Sequence, residues 1–189
     1  MQTEALEGGF PDAPVDAARA FRAAMNAMAR PGRIETLAGA LPPAPLSPAA
    51  GALILTLCDP ETPVHLAGAL DVAGLRDWIT FHTGAPLVGP AQAVFAVGEW
   101  ADLQPLDIYR IGTSEYPDRS ATLIVEMPEL TPQGAVLTGP GIKESARLSL
   151  PDVAAMRRNA ALFPLGLDFF LTSANRVAAL PRSTQAEDN

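Results

Sequence analysis

At 189 residues, with 48% hydrophobic and 18% charged residues, the chain carries enough apolar material for one buried core and too much for a disordered polymer. Lys+Arg 13 against Asp+Glu 21 gives a net charge of −8, which removes the clustered cations that a nucleic-acid polymer or an anionic membrane surface selects. Apolar runs fall short of the roughly 20 residues that span a bilayer, and the lone Cys58 excludes an internal disulfide, a thiolate zinc site and an iron-sulfur cluster.

Glu4, Glu7, Asp12 and Asp16 give the N-terminus the wrong charge for a secretory leader, so the expected location is the cytoplasm, with residues 1–11 as a mobile start. Asp12 is then expected to cap a helix over residues 13–29. Its apolar side chains Val15, Ala18, Phe21, Met25 and Met28 recur at helical intervals and are read as the inward face, with Arg19, Arg22 and Asn26 in water. Pro31-Gly32 stops it, residues 33–37 suit a short strand, and residues 38–48 form a Pro/Ala-rich connector. Ser47 followed by Pro48 pairs an N-cap with a first-turn proline and opens an apolar helix through Leu53, Ile54 and Leu57 to about Cys58.

The Asp59-Pro60 to Pro63 cluster breaks that helix. Residues 64–66 read as a strand, and Asp71 is expected to cap a helix carrying Leu75, Trp78, Ile79 and Phe81 to its stop at Gly84. Residues 93–97, 121–127 and 134–138 read as strands, 103–111 as a helical turn, and 150–162 as a helix with Pro151 in its first turn. Residues 167–172 and 176–180 flank Ser173-Ala174-Asn175 as a hairpin, and 183–189 is expected to be a mobile polar tail. The expected fold is α/β: one domain over residues 1–189, a three-layer α/β/α sandwich with a mixed central sheet covered by helices on both faces.

Chemistry-bearing residues are few. His65 sits inside a strand pattern and His82 with Thr83 ends a helix beside a loop, where a helix C-terminus stabilises an imidazolium. Cys58 ends an apolar helix, the setting of an inert buried thiol; a nucleophile there needs a histidine beside it. Gly139 and Gly141, in Leu137-Thr138-Gly139-Pro140-Gly141-Ile142, fit either a tight turn or backbone N–H groups facing an anion. Lys143-Glu144 departs from a P-loop and is weak support for a Schiff-base lysine. Gly112, Thr113 and Tyr116 stand in a polar loop suited to a ligand or protein contact, and Arg182 beside Ser183-Thr184 suits either a salt bridge or a phosphate. No catalytic set and no metal site is expected.

In order and spacing, several words resemble the PhnH family, a subunit of the bacterial carbon-phosphorus lyase system. They include Phe21-Arg22 with Met28-Ala29-Arg30-Pro31-Gly32, Leu55-Thr56-Leu57-Cys58-Asp59, Phe81-His82-Thr83-Gly84, Phe163-Pro164-Leu165-Gly166-Leu167-Asp168 and Leu180-Pro181-Arg182-Ser183-Thr184. The resemblance implies a sandwich related to the pyridoxal-phosphate transferase fold without the cofactor, a homodimer in isolation, and assembly with PhnG, PhnI and PhnJ. It further implies that, with the ATPase-like PhnL, the subunits replace the adenine of ATP by a phosphonate, so that ATP or phosphonate is a conceivable ligand. The chain is then expected to supply structure and docking surface.

Overall fold

A computed structural model describes residues 6–188. Among them the fold is α/β with a mixed central sheet and four α-helices. Chain order is α1 (Ala13–Ala29), β1 (Glu35–Thr36), α2 (Pro48–Leu57), β2 (Val64–Leu66), α3 (Ala73–Thr83), β3 (Phe95–Glu99), β4 (Thr122–Glu126), β5 (Ala135–Thr138), β6 (Ala146–Leu148), α4 (Val153–Ala160), β7 (Asp168–Ser173), β8 (Arg176–Leu180) and β9 (Gln185–Glu187). The central sheet runs β1-β8-β7-β4-β3-β2. Strands β7, β4, β3 and the edge strand β2 are parallel, while β8 returns antiparallel to β7 and β1 pairs antiparallel to β8. Among the described residues no helix is long and apolar enough to cross a membrane.

Side-chain alternation along the strands divides the core in two. Val97, Ile124, Phe170 and Val177 face α1, α2 and α3, while Ala96, Leu123, Val125, Phe169, Leu171 and Ala178 face the opposite side. The second side differs from the expected layer of helices. It is covered by a small sheet, β6-β5-β9, together with α4 and the 103–111 segment, through Leu137, Leu148, Ala186, Met156 and Leu103. Residues 134–138 are therefore a strand, but of this second sheet.

α2 forms as the sequence suggests: Ser47 Oγ accepts from the Ala50 N–H at 3.2 Å, and Pro48 occupies the first turn. α1 has the expected bounds but a different buried face. Ala20, Ala24 and Ala27 are buried, whereas Val15, Phe21 and Met25 are 41%, 48% and 52% exposed. α1 lies on α2, whose buried residues include Ala49, Ala50 and Ala52, so both helices bring small side chains to the core and the bulky ones of α1 point away. Asp12 does not cap α1; its own N–H donates to the Asp16 carboxylate at 3.0 Å. Asp71 does not cap α3 either. Val72 holds that position, and Asp71 instead binds Arg76 through Nε at 2.5 Å and Nη2 at 2.7 Å.

Other boundaries shift. β3 starts at Phe95 rather than 93, and the 103–111 turn contracts to a 3-10 turn at Leu106–Ile108. α4 begins after Pro151, capped by Asp152, whose Oδ1 accepts from Ala155 N at 2.8 Å. Of residues 183–189, expected as a mobile polar tail, Gln185–Glu187 form β9, which pairs with β5 and buries Ala186 to 2% exposure, while residue 189 lies outside the described residues. At the other end, residues 1–5 of the expected mobile start lie outside the described residues. Residues 6–11 are tied down: Trp78 Nε1 donates to Glu7 O at 2.9 Å, Leu41 N to Gly8 O at 2.8 Å, and Phe10 packs on the core.

Candidate functional site

Arg182, placed just beyond β8, gathers two distant segments, residues 117–120 and 164–168. Its backbone N–H and Nε donate to Asp168 Oδ1 at 2.8 and 3.1 Å, and Nη2 donates to Asp168 Oδ2 at 2.5 Å and to the Ser120 hydroxyl. Nη1 donates to Pro117 O at 2.7 Å and Pro164 O at 3.5 Å. The guanidinium has five N–H donors, and these bonds use all five. Its side chain is 12% exposed. A phosphate approaching Arg182 would have to break these bonds, so the geometry is that of a clamp.

The clamp reaches the polar loop. Thr113 and Tyr116 exchange backbone hydrogen bonds at 3.1 Å, Thr113 Oγ1 accepts from Tyr116 N at 3.0 Å, and the Tyr116 ring lies 4.0 Å from the Arg119 guanidinium. Gly112 has φ +81°, and a Cβ there would sit 2.6 Å from Pro117 O, the atom that Arg182 holds. Gly112, Thr113, Tyr116 and Arg182 are thus brought together. Gly139 and Gly141 flank a separate turn after β5: Gly139 abuts Ser183, and Gly141, with φ +83°, packs so closely on the end of α1 that a Cβ would overlap Ala29 O. Lys143 is exposed just beyond that turn.

His82 and Thr83 lie apart from both. Thr83 Oγ1 donates to Ile79 O at 2.7 Å and accepts from Ala85 N at 3.0 Å, closing α3 where Gly84 turns left-handed at φ 70°. The His82 ring packs tilted against Trp78 at 5.1 Å and edge-on against Phe81 at 5.0 Å, under Gly9, and its Nε2 is buried without a partner among the described residues. His65, on the sheet face opposite Val64 and Leu66, shares a hydrogen bond with Val88 O at 3.1 Å through Nδ1 and lines a recess of about 320 Å³ with Asp71 and Arg76.

Cys58 is 7% exposed, and burial, with Asp59 adding to it, pushes its thiol up to about 12. That removes the thiolate on which a cysteine nucleophile depends. Glu126, ending β4, has its pKa raised from the ordinary value by burial while it accepts from Ser47 N at 2.7 Å and Thr172 Oγ1 at 3.1 Å, fastening the start of α2 to the sheet. Among the described residues no group of three His, Cys, Asp or Glu is placed to hold a metal ion.

The most ligand-like feature was not singled out in the sequence. A cavity of about 450 Å³ opens between residues 104–111, α4 and residues 162–167. Its floor is secured by Asn159, which donates through Nδ2 to Leu167 O and accepts from Leu167 N, both at 2.8 Å. Tyr109 lines it, is 4% exposed and has a hydroxyl without a partner. The sequence marked residues 103–111 only as a helical turn, because the cavity's other wall is some fifty residues later in the chain.

The family model described as bacterial phosphonate metabolism protein (PhnH) matches residues 8–187. A Rhizobium meliloti (strain 1021) protein, alpha-D-ribose 1-methylphosphonate 5-triphosphate synthase subunit PhnH, is 43% identical over 197 aligned positions covering 98% of each chain. The "Putative C-P lyase subunit protein HtxG" of Stutzerimonas stutzeri is 31% identical over 201 positions covering 94% of each. The matched span includes the Arg182 clamp, the glycine turn, the end of α3 and the Tyr109 cavity, and the chain belongs to the PhnH family of bacterial phosphonate metabolism proteins.

Proposed function

We propose that this chain is a non-catalytic subunit of a ribose 1-methylphosphonate 5-triphosphate synthase in organophosphonate catabolism, working with PhnG, PhnI and PhnL and joining PhnJ in the larger assembly. The observation that carries this reading is the 43% identity, over 98% of both chains, to a protein named as that synthase's PhnH subunit. In the reaction a phosphonate oxygen forms a bond to C1′ of ATP's ribose as the bond from C1′ to adenine breaks. That exchange needs stabilisation of a departing base beside heavily charged phosphates.

The residues of this chain favour a supporting role. Arg182 has its donors engaged internally, Cys58 is held as a buried thiol, and Lys143 stands on an exposed turn. The chain's contribution is a rigid scaffold with contact surfaces. Of these, α1 presents Val15, Phe21 and Met25 to solvent, an apolar stripe that a second copy of the chain would cover in a homodimer. Tyr116, 41% exposed on the clamped loop with Gly112 and Thr113, is the second contact candidate. Gly139, Gly141, His82, Thr83 and Arg182 shape the backbone that carries these surfaces. The parallel sheet centre with its hairpin edge supports a likeness to the pyridoxal-phosphate transferase fold without its cofactor, and the cytoplasm is the compartment in which ATP and the partner subunits meet.

Co-expression with PhnG, PhnI and PhnJ, followed by size-exclusion chromatography, tests the reading. Co-elution as one species is expected; elution of this chain alone from a mixture in which the others assemble would count against it.

A further inference from the structure

The recess beside His65 lies at the outer edge of the central sheet, where Leu87, Val88 and Gly89 run beside β2. Its volume of about 320 Å³ stands at the low end of small-molecule sites. The hydrogen-bonding groups of its walls define what fits. His65 Nδ1 meets Val88 O at 3.1 Å, and a carbonyl only accepts, so Nδ1 carries the proton and Nε2 of the neutral ring is an acceptor. That Nε2 has no partner among the described residues and, unlike the buried Nε2 of His82, is open to solvent. Arg76 commits Nε and Nη2 to Asp71, at 2.5 and 2.7 Å, which leaves the two N–H groups of Nη1. The Arg76 hydrogen bond first, and the nearness of Arg76 and His65 after it, hold the Asp71 carboxyl below its ordinary value, so the pair is ionised and neutral overall.

These groups exclude two kinds of ligand and select a third. A phosphonate or other oxyanion would gain N–H groups of Arg76 but face the Asp71 carboxylate beside them and a lone pair at His65 Nε2. A metal ion would find one free nitrogen, with both Asp71 oxygens engaged, and no three-residue ligand group exists among the described residues. A neutral molecule with a donor beside an acceptor satisfies both open groups. Adenine has that edge, an exocyclic amino group next to a ring nitrogen. We propose that this recess binds adenine, its amino group donating to His65 Nε2 and a ring nitrogen accepting from Arg76. The choice of base rests on the proposed reaction, in which adenine leaves ATP. Binding is measured on the chain without partners, so its failure leaves the co-elution result standing.

Three probes separate the alternatives: 9-methyladenine carries the donor–acceptor edge, 9-methylpurine keeps the rings without the amino donor, and methylphosphonate is an anion. Each is titrated into the purified full chain at pH 8, where an ordinary imidazole is neutral, with ligand-observed NMR as the readout. 9-Methyladenine should bind in the millimolar range, 9-methylpurine about fivefold weaker and methylphosphonate at least about tenfold weaker. His65→Phe, which keeps a ring and removes the acceptor, should bring 9-methyladenine down to the level of 9-methylpurine. At Gly89 an added Cβ meets open space, so Gly89→Phe crowds the recess without disturbing packing and should weaken both purines, a test that stands whether or not His65→Phe folds. The proposal is overturned if 9-methyladenine does not bind in the millimolar range, if 9-methylpurine or methylphosphonate binds as tightly, or if either variant leaves 9-methyladenine unchanged.

Discussion

Replacing Arg182 by alanine removes one guanidinium and strands the four groups it holds: the Asp168 carboxylate, the Ser120 hydroxyl and the carbonyls of Pro117 and Pro164. Breaking one side of a buried ion pair costs about 3–5 kcal/mol, mostly the penalty of leaving the other charge unpaired. Here the side chains are 12% and 23% exposed, so water re-solvates part of what is lost and about 2–4 kcal/mol is expected. For a chain of this size that lowers Tm by roughly 5–15 °C. Urea unfolding should show the loss as a lower midpoint at unchanged m-value. Arg182→Lys should recover less than half of it, because an ammonium has three donors in place of a planar set of five. In Arg182→Ala with Asp168→Ala the losses should be far from additive. An Arg182→Ala chain within about 0.5 kcal/mol of wild type would refute the clamp, more so if it also lost a measurable heat of ATP binding.

Cys58 should react with a disulfide reagent at pH 8 at least about 100-fold more slowly in the folded chain than in urea, its thiol being buried and raised to about 12; fast folded-state labelling would revive a cysteine nucleophile. Glu126 has a raised folded pKa, so its protonated form favours folding, and that contribution fades as pH climbs through the raised value. Wild type should therefore lose stability relative to Glu126→Gln from pH 4 towards pH 7; parallel pH profiles, or a wild-type gain, would contradict the burial argument. Gly141→Ala should cost about 2 kcal/mol or more in urea unfolding, since φ is +83° and the new Cβ overlaps the Ala29 carbonyl. Phe21→Ser with Met25→Ser should leave the unfolding midpoint within about 0.5 kcal/mol yet reduce self-association in sedimentation; unchanged association would clear α1 of the dimer role.

Local signals were readable where chemistry is local. Ser47-Pro48 starts α2, Gly84 ends α3, and Ser173-Ala174-Asn175 joins β7 to β8 because each feature depends on a few neighbouring residues. α1 shows the limit. Helical spacing located it, but Val15, Phe21 and Met25 and the Ala20, Ala24, Ala27 stripe are both apolar arcs, and only the small-residue surface of α2 decides which is buried. β9 was missed because one apolar residue, Ala186, between Gln185 and Glu187 is too short a pattern to register, and its partner β5 lies nearly fifty residues earlier. Arg182 was noticed, but its role depends on Ser120, Pro117 and Asp168, none of them near it in the chain. The Tyr109 cavity is assembled likewise, from residues 104–111 and 155–167.

Adenine release from ATP and methylphosphonate by PhnG, PhnI and PhnL, with and without this chain, tests the subunit role most directly. Release should require this chain in the mixture, and the chain alone should produce none. An undiminished rate in its absence, or release by the chain alone, would contradict the account.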